Sequence, residues 1–395
     1  MPIASTGPME SEPMPRAGDH STDAVAGRKE FERFFGSLEQ SLGGLADEVP
    51  DLHGSFPSAA IDRLRAAGIL SATLPEAAGG LGLGEPRRSD LLKRLLVRIG
   101  RCDQILGRLY EGHVNAHLLA FRFGDEETRG RVAADTREGH LFGVWNTEPS
   151  PGGVEIDSGS GVLRGRKIYA SGAGFVTRPL VTASAKGRGQ MLITPLEEGE
   201  RADLSGWRAR GMRASATGQV SFDGYPLDRA IRVGKPDDYV EQPFFSAGAW
   251  RFLAVHLGGI EAVHLAHKAH LVRLSRHEDP HQLVRLGQSA IAVETARAFV
   301  GHACSLANGT GSADARSTIA YVNLARAAVE RAGLDAIELA QRSVGLASMI
   351  ENHPLERVTR DLATYLRQPG PDHALTEAAR HLFEIEGCYL PPERR

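Results

Sequence analysis

The sequence predicts an α+β multidomain protein built as helices, then a compact β domain, then a helical bundle. Three observations carry this. Helical periodicity runs from about Arg28 to Gly139, short β-rich runs split by turn residues occupy Phe142 to Val233, and long helical patterns return after Phe244. Runs of one class followed by runs of another imply segregated layers, not a βαβ sheet. The expected boundaries are a disordered tail at 1–27, an N-terminal helical domain at 28–141, a central β-sandwich or barrel at 142–243 and a C-terminal helical bundle at 244–395.

In the first part, "FERFFGSLEQSLGGLADEV" places Phe31, Phe34, Phe35, Leu38 and Leu42 on one helical face. "SAAIDRLRAAGIL" follows, with Ser58 as expected N-cap and Gly68 as the stop. "LPEAAGGLGLG" (74–84) reads as a glycine-rich loop before helices resume at Leu91–Ile105 and Leu109–Phe123. In the middle part, "LFGVWN", "GVLRGRKIYAS", "RPLVTASA", "QMLITPL" and "QVSFDGYPL" have the length and β-branching of strands. The last part divides into helices at 247–276, 280–308, 313–349 and 354–368. Pro369-Gly370-Pro371 then breaks the pattern, because two prolines remove donors and clash with the preceding turn, and Asp372 is the expected N-cap of a final helix.

Composition narrows the function classes. Of 395 residues, 42% are hydrophobic and 24% charged, as in ordinary globular chains. A formal net charge of -3 without a basic run excludes an electrostatic footprint for nucleic acid. Cys102, Cys304 and Cys388 form no CxxC pair, so neither a disulfide framework nor a zinc site is expected, which suits a reducing cytoplasm. No apolar stretch is long enough to span a bilayer, and the first 27 residues lack the apolar segment of a signal peptide.

Several motifs resolve to ordinary structure. "GLGLG" (80–84) lacks the Lys-Ser/Thr and preceding strand of a phosphate loop, and reads as a turn. His256, His264, His267 and His270 share one helix, mostly at i,i+3 without an acidic partner, which reads as a partly solvated or interfacial face rather than a metal site. No GxSxG elbow exists, and Ser171 has no local base, so hydrolase chemistry is disfavoured.

Three segments are specific when taken together: "GVWNTEPSPGG" (143–153), "LRGRKIYASGAG" (163–174) and "ENHPLERVTRDLATYL" (351–366). Their order and spacing resemble the acyl-CoA dehydrogenases, flavoproteins with an α/β/α chain. "LPEAAGGLGLG" is similar to the family's "PEEYGGLG" loop, "NTEPSPGG" to its "TEPGAGS", "LRGRKIYASGAG" to "LNGxKxWITNG", and "HPLERVTRD" to "YPVERxxRD". The helix "FGDEETRGRVAADTREG" and the strands of "GMRASATGQVSFDGYPL" also resemble family segments, so the likeness covers about residues 28 to 385.

The resemblance implies an FAD site. Thr147 matches the residue reaching the flavin pyrimidine edge, Tyr169 the tryptophan packed on the ring, and Ser171 the threonine donating to flavin N5. The plainer reading makes all three turn residues capping a sheet edge. For the adenylate half, held across a subunit interface, the family uses an Arg and a Gln after the first bundle helix, here Arg276 and Gln288, and a "QxxGGxG" run. "QRSVGLAS" keeps Gln341 and Gly345 of that run but crowds it with Val344 and Leu346. The family's catalytic Glu aligns with Pro369. The alternative position on the first bundle helix falls at Ala249 or Trp250, again without an acid, and Asp372, Glu261 and His256 are candidate substitutes.

These residues imply a cytoplasmic, homodimeric or homotetrameric FAD-dependent oxidoreductase acting on an acyl thioester or related small molecule, with its base missing. Two rivals stand beside it: a flavin monooxygenase of the same fold, and a non-catalytic scaffold or binding homologue.

Overall fold

The computed structural model describes residues 36, 38, 42–309 and 314–385. The tail at 1–27, the aromatic face of Phe31, Phe34 and Phe35, and Cys388 lie outside them.

Helices α1 (Ser58–Ala66), α2 (Ser89–Cys102), α3 (Gln104–Phe123) and α4 (Glu126–Arg137) open the described chain. Ser58 is the first residue of α1 rather than its cap, which is Pro57; a side-chain cap bond is absent there. Asp103 both ends α2 and starts α3. Its extended backbone (φ -159°) breaks the first helix, and its carboxylate accepts from the amides of Ile105 (2.8 Å) and Leu106 (3.0 Å). The "GLGLG" turn is structural as expected: a Cβ on Gly80 would lie 2.1 Å from the Leu74 carbonyl oxygen. Its amides at 80–83 donate to the carbonyls of Pro75, Ala72 and Leu74, leaving none for a phosphate.

Ten strands follow: β1 (Phe142–Trp145), β2 (Glu155–Asp157), β3 (Val162–Arg164), β4 (Arg166–Ala170), β5 (Arg178–Ala185), β6 (Arg188–Ile193), β7 (Ala202–Asp203), β8 (Gly218–Ser221), β9 (Tyr225–Pro226) and β10 (Ile231–Val233). Seven form one sheet in the order β10-β6-β5-β2-β3-β9, with β1 parallel to β5; the antiparallel set β4-β8-β7 forms a second. The β5–β6 hairpin turns on Lys186-Gly187, both at positive φ (53° and 80°), matching the twist of the flanking strands. Its pairing Leu180↔Ile193 directs apolar side chains onto α3, where they join Ala116, Leu119, Ala120, Phe142 and Val233 in one core cluster.

The C-terminal helices are α5 (Phe244–Ala247), α6 (Trp250–Arg273), α7 (Pro280–Ala307), α8 (Ala315–Val344), α9 (Pro354–Tyr365) and α10 (Pro371–Leu382). Helix α6 crosses α2 at glycines: a Cβ on Gly258 would meet the Val97 carbonyl oxygen at 2.2 Å, and one on Gly100 the Val255 carbonyl at 2.4 Å. The four α6 histidines, expected on a partly solvated or interfacial face, are largely withdrawn from solvent. His256, His267 and His270 are buried and His264 is half-buried. Burial lowers the pKa of each, to about 3 for His256 and about 4 for His267. The proline break is where it was expected, but Gly370 (φ 62°), not Asp372, caps α10, with Pro371 at its first position. The described residues from 44 onward form one compact unit.

Candidate functional site

A cavity of about 1360 Å3 opens where the ends of β1 and β4 face α3, α6, α8 and α9. Thr147, Tyr169 and Ser171 all line it, although they come from two separate turns. The first turn is held by a buried lysine. Lys167 is fully buried, and its Nζ donates to Glu148 Oε1, to Thr182 Oγ1 (3.0 Å) and to the Asn146 carbonyl (3.4 Å). Glu148 also accepts from the Val154 amide (3.1 Å), so the 146–154 turn closes around one ion pair. A buried charge is tolerated only when paired and hydrogen-bonded in this way.

Tyr169 is presented by a defect in the second sheet. The β4–β8 register shifts between Lys167 and Ala170, and Tyr169 sits at φ 52°. A bulge re-aims side chains, and a non-glycine residue at positive φ persists only when its surroundings impose it. The result is an aromatic ring 64% exposed on a cavity wall. Ser171 follows, its carbonyl accepting from Trp145 Nε1 (2.9 Å) and its hydroxyl from Arg108 Nε (3.3 Å).

Arg108 begins a polar relay that sequence reasoning missed. On α3, Arg108 Nη1 donates to Glu111 Oε2 (2.7 Å), Asn115 Nδ2 donates to Glu111 Oε1, and Arg251 Nε of α6 donates to Asn115 Oδ1. Glu111 is almost fully buried. Tyr365, at the end of α9, is buried with its hydroxyl lacking a hydrogen-bond partner, and burial raises its pKa. The signal was present: Arg108, Glu111 and Asn115 recur at i, i+3 and i+7, a polar stripe along an otherwise apolar helix.

Helix α9 is clamped by its own charges. Arg360 donates from Nε to Glu356 Oε1 (2.7 Å), from Nη2 to Asp51 Oδ2 (2.7 Å) and from Nη1 to the Arg210 carbonyl (3.0 Å). Asp361 accepts from the Met212 amide (2.6 Å), and burial pushes its pKa up to about 6. Arg357 reaches Asp103 Oδ2 (3.0 Å). The charged run before the break thus anchors the helix that carries Tyr365 and Pro369 to the cavity.

The base position holds no acid. Pro369 lines the cavity, and its carbonyl accepts from Arg326 Nη2 (2.5 Å). Ala249 also lines it. None of the candidate substitutes reaches it: Glu261 pairs with Arg297 and Arg101 outside the cavity, Asp372 is exposed on α10, and His256 lies behind Tyr365 with ring centroids 4.5 Å apart. The two carboxylates that do line the cavity, Glu111 and Glu356, are each paired with arginine.

The residues expected at the adenylate half, which the resemblance places across a subunit interface, lie apart within one chain. Gln341 lines the cavity, with Nε2 3.5 Å from Thr359 Oγ1. Arg276 turns to its own scaffold, donating to the Ser343 carbonyl (3.4 Å). With the Gln282 amide oriented to satisfy both its ends, its oxygen accepts from Arg276 Nη2 at 2.6 Å. Gln288 is exposed on α7, and Gly345 caps α8 at φ 76°, ψ -153°. Among the described residues, one cluster has the donors of a metal site: Asp135, Glu138 and His140. Arg178 occupies it, donating to Asp135 Oδ2 (2.8 Å) and lying 2.8 Å from His140 Nε2.

Comparison with known proteins bears on this geometry. Residues 261–367 match the family model for the acyl-CoA dehydrogenase C-terminal domain. The amino sugar nitrososynthase DnmZ of Streptomyces peucetius is 26% identical over 361 residues, 84% of this chain and 87% of its own. The putative acyl-CoA dehydrogenase YdbM of Bacillus subtilis is 25% identical over 391 residues, 87% of this chain and 96% of its own. The crystal structure of TdsC from Paenibacillus sp. A11-2 with FMN and indole superposes with a TM-score of 0.75 at 20% identity, covering 89% of this chain and 97% of that one. The fold is therefore acyl-CoA dehydrogenase-like.

Proposed function

We propose that this protein is a flavin-dependent monooxygenase on the acyl-CoA dehydrogenase fold, using FMN rather than FAD. One observation carries the reading: Pro369 and Ala249 stand at the positions for a catalytic base, while Glu111 and Glu356, the carboxylates lining the cavity, are both neutralised by arginine. Removing a proton α to a thioester needs a free carboxylate within hydrogen-bond reach. Oxygenation on a flavin needs no such base. Two of the relatives point the same way, DnmZ being named a nitrososynthase and TdsC having been solved with FMN, whereas YdbM is named a putative acyl-CoA dehydrogenase.

The residues fit the group. The exposed Tyr169 face offers a stacking surface, and the Tyr365 hydroxyl is a buried polar group without a partner. Thr147 and Ser171 would hold the ring edge, with Arg108 fixing the Ser171 hydroxyl in place. A reduced flavin bound there would supply two electrons to molecular oxygen, one atom going to the substrate and the other leaving as water. The aromatic side of the cavity, with Tyr239, Phe244 and Phe252, excludes water from the reacting atoms.

We further propose a homo-oligomer through α6 and α7, supported by exposed Leu265, Val272, Leu283, Val284 and Ile291 on those helices. No helix among the described residues is long and apolar enough to cross a membrane. The function is tested by titrating the protein with FMN and FAD and following flavin fluorescence. FMN is expected to bind more tightly than FAD, and reduced FMN with oxygen to give hydrogen peroxide alone without substrate and oxygenated product with it. If neither flavin binds, the reading fails.

A further inference from the structure

Building on the oxygenase reading, we propose that the substrate is a small acid whose oxyanion group docks on Arg251 at the floor of the cavity. Arg251 is 9% exposed and lines the cavity. Three features decide which of its atoms are available. Its guanidinium carbon lies 5.7 Å from the Phe244 ring centroid and 5.8 Å from that of Trp250, so aromatic rings flank the group. Its Nε is committed to Asn115 Oδ1. Its two terminal nitrogens have no acceptor among the described residues, and the Gly248 backbone, which has no side chain, leaves them room: a Cβ there would meet Nη2 at 2.4 Å.

Charge makes the same point. Arg108, Glu111 and Arg251 share the floor, two cations against one carboxylate, and both Glu111 oxygens are already occupied by Arg108 and Asn115. Desolvation lowers the Arg251 pKa, as expected for a cation short of a counter-charge. A planar oxyanion would accept both terminal N–H groups in the fork geometry that arginine presents. Arg251 is joined through Asn115 and Glu111 to Arg108, the residue bonded to Ser171. An anion on Arg251 would therefore leave the oxidisable end of a one-ring or two-ring acid on the Ser171 side of the cavity, and the comparison of FMN with riboflavin below separates it from the flavin phosphate.

The test uses benzoate and its neutral isostere benzamide on FMN-loaded protein, with binding followed by tryptophan fluorescence and calorimetry. Benzoate should bind the wild type at least tenfold more tightly than benzamide. Arg251→Gln should remove that preference, Arg251→Lys should restore part of it, and FMN affinity should stay within twofold in both. Equal binding of benzoate and benzamide to the wild type overturns the proposal without requiring any variant to fold. So does undiminished benzoate binding in Arg251→Gln. If Arg251→Gln weakens FMN but not riboflavin, the guanidinium serves the flavin phosphate and the proposal is wrong. Failure of the wild type to bind any flavin would sink the oxygenase reading instead, and the benzoate comparison on flavin-free protein would still judge Arg251.

Discussion

Two regions were expected to hold the two halves of one dinucleotide, and they differ sharply. At the inner end of the cavity, Thr147, Tyr169 and Ser171 converge from two turns, and Arg108 and Tyr365 arrive from helices. At the outer face, where α7 begins and α8 ends, Arg276 is drawn into contacts with Ser343 and Gln282, Gln288 is exposed, and Leu346 flanks Gly345. The first region is preorganised by a buried ion pair and a register shift. The second has its cation already committed to holding helix ends together. The resemblance completes the outer half from a second subunit, so a single chain brings only the ring-binding half together.

The largest expected effect concerns the chemistry of the inner region. Flavin-loaded protein mixed anaerobically with saturated acyl-CoAs should keep its oxidised spectrum, with any bleaching slower than in a base-equipped dehydrogenase by roughly a hundred- to ten-thousand-fold. Rapid bleaching would reveal a working base and erase the distinction drawn from Pro369.

The clamp that aims α9 comes next. Arg360→Ala would leave Glu356 without its arginine while Asp51 keeps Arg213, and should cost about 1–3 kcal/mol in urea unfolding. A loss under 1 kcal/mol would mean that the inner wall is held by apolar packing alone.

Acid should loosen the inner region. His113 accepts from the Phe142 amide (3.0 Å) and lies 2.7 Å from the Leu70 carbonyl, and burial lowers its pKa to about 4. The unfolded chain takes up the proton near the ordinary value of about 6.5, so this group's stabilisation is complete above that pH and is lost as pH falls towards 4. His117 shifts in the same direction, and Asp361, whose pKa is raised, opposes them over its own window. These three groups together should lower the unfolding free energy by roughly 2 kcal/mol between pH 7 and pH 5, and His256 and His267, shifted the same way, add to the fall. A flat profile would show that these histidines are not buried as described.

Smaller effects separate the halves directly. The Ser171 hydroxyl makes two long contacts, at 3.3 and 3.4 Å, so Ser171→Ala should cost under about 1 kcal/mol of stability while shifting the flavin reduction potential. An unchanged potential would leave Ser171 a turn residue. Gln288→Ala should leave FMN affinity within twofold, and a larger loss would return the outer face to the cofactor.

Much of the fold was legible along the chain. The β5–β6 hairpin, the "GLGLG" turn, the proline break and the limits of α7 follow from local rules of alternation, glycine conformation and capping. The strands missed, β2, β7 and β10, have two or three residues each and are strands only because neighbours pair with them. Ser58 and Asp372 were misjudged as caps because a proline at or beside the first helical position changes which residue closes the turn. The extent to which the α6 histidines are buried was not legible, because a burial pattern set by two packed helices does not show in the residue types of one.

By itself, the sequence determined the order of helix, strand and helix, the two turns that meet at the cavity and the proline break at 369–371, since these depend on residues close together in the chain. Tertiary structure decided the rest. Arg251 stands 136 residues from Asn115 and Arg360 309 residues from Asp51, and no local pattern foretells which buried charges will meet. Burial makes those meetings obligatory, because a charge removed from water must find a partner in space wherever the chain supplies one.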